Sequence, residues 1–339
     1  MKKRNNTIKG VLLPFAAALM LSSCAETPGP EEEVADTRTI SFGTPALTRS
    51  AIDDAGDMEK EGNAFSVWGW YANTGDTESS GTVFNNKRVA WSAAKGWGYE
   101  GARYWHPGLD YRFYALYPSV DGLGEGTTAA CAADGTITVN GFDATRSIDL
   151  MTAQRTVETP ASLTEDPGPV AFTFAHRLAR LSFAVKAVGC EATVTAFKVN
   201  GVTWKADLSC PASGNPSWSD PQKTADGDSR LTKAGGEITV ADGTTVSMLG
   251  DVLLPPHTAD ELAADAVISM AYRLKGDTED RMAAVKLATG TITQWDAGQQ
   301  YSYTLTVSAS SITLTWKVKA WDEQDTEVSW GPDETGGTN

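Results

Sequence analysis

Basic side chains are in the minority here: 28 Lys and Arg face 43 Asp and Glu, for a formal net charge of −15. A surface of that sign repels a phosphate backbone, which argues against a nucleic-acid partner. Histidine is scarcer still. His106, His176 and His257 are the only three, and no two stand at the i, i+3 or i, i+4 spacing of a helical metal site, so no metal and no catalytic dyad is expected. Cysteine is also rare, and Cys131, Cys190 and Cys210 have no metal-ligand spacing. Cys190 and Cys210 are open to two interpretations, a disulfide in an exported protein or buried free thiols. The sequence has no G-x-S-x-G elbow. "GLGEGTTAA" lacks both the G-x-G-x-x-G spacing and a following helix, and "TADGDSR" lacks the oxygen-ligand ladder of a calcium loop. Nothing singles out a carboxylate pair for glycoside hydrolysis. The expectation is a protein that is not an enzyme and holds no cofactor.

What is present begins at the N-terminus. Lys2, Lys3, Arg4 and Lys9 lead into an uncharged apolar run at residues 11–21, the order of a secretory signal. Eleven residues are too few for a membrane-spanning helix, which needs about 20. Leu21, Ser22, Ser23 and Cys24 then resemble the lipobox of bacterial lipoproteins, in which the thiol takes a diacylglycerol; an ordinary cleaved signal is the alternative. Acyl chains on Cys24, at about 0.8 kcal/mol per buried CH2, anchor a globule to an outer-membrane surface without spanning it. Residues 1–23 are thus read as the signal peptide and 24–38 as the acylated cysteine and an acidic linker. Pro28 and Pro30 stiffen that linker, while Glu31, Glu32 and Glu33 keep it solvated. Removing residues 1–23 takes away four basic side chains and no acidic ones, so the charge moves from −15 to −19.

Downstream, apolar residues recur at every second position. In "SITLTWKVKAW" the residues Ile312, Leu314, Trp316 and Val318 share one face while Thr313, Thr315, Lys317 and Lys319 share the other, the pattern of a half-buried strand. Similar runs hold Phe65 and Val67; Tyr111, Phe113 and Ala115; Phe172 and Phe174; Leu181, Phe183 and Val185; and Tyr301, Tyr303 and Leu305. Glycine-rich turns such as "DGLGEG" and "ADGTT" separate them. One helix is expected, at "TADELAADA". Short strands with such turns predict an all-β protein of antiparallel sandwiches. "SLTEDPGP" interrupts the rhythm, which divides the chain into domains at 39–166 and 167–322, with a polar tail at 323–339.

Aromatic residues crowd between Phe65 and Tyr117. They suit either a sugar-stacking platform or the edge-to-face packing of a sandwich core. Trp68 and Trp70 lie on the strand face opposite Phe65 and Val67, which makes them the candidate contacts if a surface glycan is bound.

Several words then occur in a fixed order: "TISFGTPALTR", "AFSVWGWY", "YWHPGLDYRFYALYP", "DLMTA", "FTFAHRLARLSFAV", "WDAGQQYSYTL" and "VKAW". In that order they resemble the fimbrillin-like lipoproteins, the major and minor fimbrial subunits of oral and gut anaerobes. The resemblance implies two tandem transthyretin-like β-sandwich domains and a place in surface fimbriae. It further implies export as a lipoprotein, then cleavage after an arginine that removes the anchor together with the first strand. Thr39, Ile40, Ser41 and Phe42 match that strand, and Arg49 matches the cleavage site, with Arg38 as the alternative. The implied partners are other fimbrial subunits, whose strands fill the vacated groove, outer-membrane lipid through Cys24 before processing, and a host or bacterial surface glycan or protein. Residues after Trp321 are polar and glycine-rich, unlike the donor strand of a stalk subunit, and favour an accessory or tip subunit.

Overall fold

A strand is the conformation in which a period of two buries one face, and these segments take it. The computed structural model describes residues 38–48, 58–76, 78–225, 227–288 and 292–321. Cys24, Arg49 and the tail at 323–339 lie outside the described residues.

Among the described residues, four sheets make up the fold. The first has seven strands: β1 (Ala46–Thr48), β2 (Ala64–Asn73), β3 (Gly81–Ser92), β4 (Gly96–Gly98), β5 (Leu109–Tyr117), β8 (Met151–Glu158) and β9 (Thr173–His176), in the order β1-β9-β8-β5-β2-β3-β4. The second runs β13 (Ser217–Lys223), β12 (Thr203–Cys210), β7 (Ile137–Asp143), β6 (Thr128–Cys131). The third runs β15 (Thr245–Leu254), β10 (Ala179–Ala187), β18 (Gln299–Val307), β19 (Ile312–Ala320). The fourth runs β14 (Ile238–Val240), β11 (Ala192–Asn200), β16 (Val267–Leu274), β17 (Arg281–Lys286).

The expected helix is α1 (Ala259–Asp265). Seven residues are too few for a helix to hold itself in water. Thr258 and Glu261 supply a capping box, in which the Thr258 hydroxyl accepts from the Glu261 amide and the Glu261 carboxylate accepts from the Thr258 amide at 2.8 Å.

Two apolar clusters lie on opposite faces of the first sheet. The smaller gathers Ile40, Phe42, Phe65, Phe84, Trp97, Trp105, Phe113, Phe172 and Phe174. The larger takes Trp68, Tyr114 and Leu116 from the other face, covers them with Ile137, Val139 and Phe142 of the second sheet, and continues through Phe183, Phe197, Trp295 and Tyr303. The third and fourth sheets meet face to face through Phe183 and Phe197, whose rings are 6.3 Å apart.

Three features depart from or refine the expectations. Pairing is mostly antiparallel, but β1 runs parallel to β9 and β10 runs parallel to β18. The second sheet takes two strands from each side of the 166/167 boundary, joined where β7 pairs with β12. Cys131, Cys190 and Cys210 are all free thiols, so no disulfide links Cys190 to Cys210. Burial pushes the Cys131 thiol up to about 12, which leaves it a protonated packing group.

Candidate functional site

Ile40 and Phe42 place large apolar side chains on one side of an extended chain, with Thr39 and Ser41 on the other. Ile40 is fully buried and Phe42 is 6% exposed. The Phe42 ring stacks on Phe172 at 5.9 Å and meets Phe65, Phe84 and Tyr99 at 5.8, 5.7 and 5.7 Å. Such pairs stabilise by about 0.5–1.5 kcal/mol each beyond the area they bury.

The backbone of this segment is held by two separate stretches of chain. Toward its start, Ile40 N–H donates to the Arg103 carbonyl at 2.7 Å and the Arg38 carbonyl accepts from Trp105 N–H at 2.8 Å, with Thr39 bridged antiparallel to Tyr104. The Tyr99 hydroxyl donates to the Ile40 carbonyl at 2.6 Å. Burial raises the pKa of Tyr99, which keeps that donor protonated. Further on, the segment crosses to the far end of the sheet and runs parallel to 170–175. Val170 N–H donates to the Ser41 carbonyl, and Gly43 and Ala46 donate to the carbonyls of Val170 and Phe172. Pro45 lies between them, buried and without an N–H to offer. Buried positions therefore fall at 40 and 42, then at 45, with Leu47 half-buried, a shift of phase at the proline.

The segment closes a gap between the loop after β4 and the β9 edge. Taking it away would uncover Phe65, Phe84, Tyr99 and Phe172 and orphan backbone groups at Arg103, Trp105, Val170 and Phe172. Each buried orphan costs about 1–3 kcal/mol. The geometry is that of a groove with an apolar floor and hydrogen-bonding walls, filled by the chain's own residues 39–48. Alternation in Val170, Phe172 and Phe174 marks a strand in the sequence. Nothing there shows that its partner lies some 130 residues upstream, so Tyr99, Arg103 and Trp105 were missed as walls.

The other candidates fall elsewhere. Trp68 is 2% exposed and sits in the larger core cluster, so it is not a surface for a sugar. Both faces of β2 are covered, one by each cluster, which is why neither set of its aromatics is free. Trp70 is half-buried, against Tyr114 at 6.0 Å. Arg38 is exposed at the start of the segment.

His176 and His257 pack into the structure, whereas His106 is exposed. The Nδ1 of His176 is 2.9 Å from Asp149 Oδ1, and its ring stacks on Trp321 at 4.3 Å. His257 is 1% exposed. Its Nε2 accepts from Thr203 N–H at 2.8 Å, so the proton is on Nδ1, which donates to the Pro255 carbonyl at 2.9 Å. Among the described residues no group of three His, Cys, Asp or Glu side chains could hold a metal ion.

A family model described as fimbrillin-like matches residues 48–321. No curated protein sequence matches the chain. Among solved structures, a fimbrial protein from Bacteroides vulgatus superposes with a TM-score of 0.58 at 18% identity, over 84% of this chain and 99% of that one. A C-terminally truncated tip fimbrial protein from Porphyromonas gingivalis gives 0.40 at 10% identity, over 81% and 99%. A fimbrial assembly protein from Parabacteroides distasonis gives 0.38 at 11% identity, over 77% and 91%.

Proposed function

Because this chain belongs to the fimbrillin-like family, we propose that it is a cell-surface fimbrial subunit that joins its neighbours by strand exchange at the groove now filled by residues 39–48. One observation carries this reading. The opening segment is integral to the sheet, with Ile40 and Phe42 in the core, yet it precedes all the strands it touches. Losing it removes a filling without cutting the body. The family match begins at Thr48, so the argument for the segment rests on its own geometry.

The groove also ranks the two cleavage candidates. A cut after Arg38 leaves the whole segment attached, whereas a cut after Arg49 releases it, since β1 ends at Thr48. Arg49 is therefore the processing site in this account. Before processing, Cys24 holds the chain to the outer membrane through its acyl chains. Afterwards an extended strand from another subunit takes the place of residues 39–48, recovering the backbone hydrogen bonds and the apolar contacts. The polar, glycine-rich composition of residues 323–339 supports a subunit that accepts a strand, in an accessory or tip position.

Intact mass of the protein recovered from fimbriae tests this. A chain beginning at Ser50 is expected. A chain in assembled fibres that still begins at Cys24 with its lipid would rule out processing as the trigger.

A further inference from the structure

Among the described residues, the guanidinium of Arg177 has no acid beside it. Arg177 follows β9 and reaches between the first and second sheets, where its Nε donates to Thr152 Oγ1 at 2.7 Å. Thr152 is 3% exposed, and its hydroxyl also shares a hydrogen bond with Cys210 Sγ at 3.4 Å. Among the described residues no Asp or Glu pairs with Arg177, and neither of its Nη groups has a hydrogen-bond partner. Burial pulls its pKa below the ordinary value. A half-buried guanidinium with no carboxylate partner among the described residues is open to an anion.

The guanidinium lines a cavity of about 200 Å³ whose other walls include Tyr114, Ile137, Gln154, Thr173 and Pro211. Drug-sized ligands occupy about 300–1,000 Å³, so this space takes a group the size of one sugar or one amino acid. Its lining has no lysine and no second arginine. A single guanidinium fork matches one planar carboxylate in bidentate geometry and lacks the additional charge that favours phosphate.

We propose that the pocket around Arg177 and Thr152 binds a small organic carboxylate, no larger than a hexuronate, through the free face of the Arg177 guanidinium. Thr173 and Ala175 in its wall belong to β9 and pair with Ala46 and Thr48, so the site adjoins the strand groove across β9, but the proposal does not require strand exchange.

Calorimetric titration of the full chain with sodium glucuronate, N-acetylglycine, glucose and sodium sulfate tests it. One-site binding of at least one carboxylate is expected, none of glucose, and sulfate at least tenfold weaker. Arg177→Gln and Arg177→Lys should each weaken the carboxylate at least tenfold, since lysine keeps the charge and loses the fork. Gln154→Trp, an exposed position at the cavity wall, should block binding without touching the core and serves if the arginine variants do not fold. Glucuronate alone would identify an acidic sugar as the source, and N-acetylglycine alone an amino-acid carboxylate. No saturable binding at millimolar concentrations, sulfate binding as tight as carboxylate, or full retention in Arg177→Lys would each overturn the proposal.

Discussion

Replacing Phe42 with alanine should loosen the opening segment far more than it loosens the body of the protein. The ring contacts four other aromatic rings within 6 Å of its centroid and is 6% exposed. Truncating a buried phenylalanine costs about 3–5 kcal/mol. If the segment opens as a unit while the sheet stays folded, that cost falls on local opening. At 1.4 kcal/mol per factor of ten, amide exchange at Ile40, Gly43 and Ala46 should quicken by about a hundredfold or more. Those amides donate to Arg103, Val170 and Phe172 and report the segment alone. Amides of β2 and β5, which pair across Trp68 and Tyr114, should exchange at nearly the parent rate. Ser41→Ala, at an exposed position in the same segment, should stay within about 0.5 kcal/mol. Hydrogen exchange read by mass spectrometry on peptides covering 38–48 and 109–117 separates the outcomes. Equal acceleration in both peptides would refute a separable segment, and no acceleration in either would refute the packing argument.

Other consequences follow from single contacts. His257 is held neutral, its pKa lowered by burial to about 4, so between about pH 6.5 and 4 the unfolded chain binds a proton that the folded chain does not. Stability should therefore fall as pH drops through that window, by roughly 3 kcal/mol at about 1.4 kcal/mol per pKa unit; urea titrations at pH 7 and pH 4.5 check this, and a His257→Phe variant should lose that component. Gly201 has φ +73°, and a Cβ there would lie 2.0 Å from the Asp265 carbonyl oxygen. Gly201→Ala should destabilise by more than about 2 kcal/mol, against about 1 kcal/mol for Gly75→Ala, where the φ is +92° and space is open. Thr258→Ala should cost about 1 kcal/mol through the lost cap on α1, read as a lower urea midpoint with an unchanged slope.

Local order was legible in the sequence wherever one residue's neighbours decide it. Alternation located β5, β10, β18 and β19, the stretch "TADELAADA" located α1, and the family resemblance placed a first strand at 39–42. Partner choice was not legible. The same alternation in Leu181, Phe183 and Val185 serves an antiparallel neighbour in β15 and a parallel one in β18. Nothing in the sequence of β7 or β12 says that they join across the acidic, proline-bearing stretch at 162–169. Trp68 failed as a surface candidate for a related reason. A strand covered on both faces shows apolar residues at odd and even positions alike, and an exposed aromatic face would look the same. The walls of the groove were hidden too, because Arg103 and Trp105 contribute backbone groups that any residue carries.

The account turns on whether residues 39–48 can leave and be replaced. Native mass spectrometry of the chain cut after Arg49, incubated with an isotopically labelled peptide of residues 39–49, measures that directly. The account predicts exchange of one labelled strand per folded chain. A cut chain that never releases its own segment, or that unfolds and aggregates as soon as it does, would contradict it.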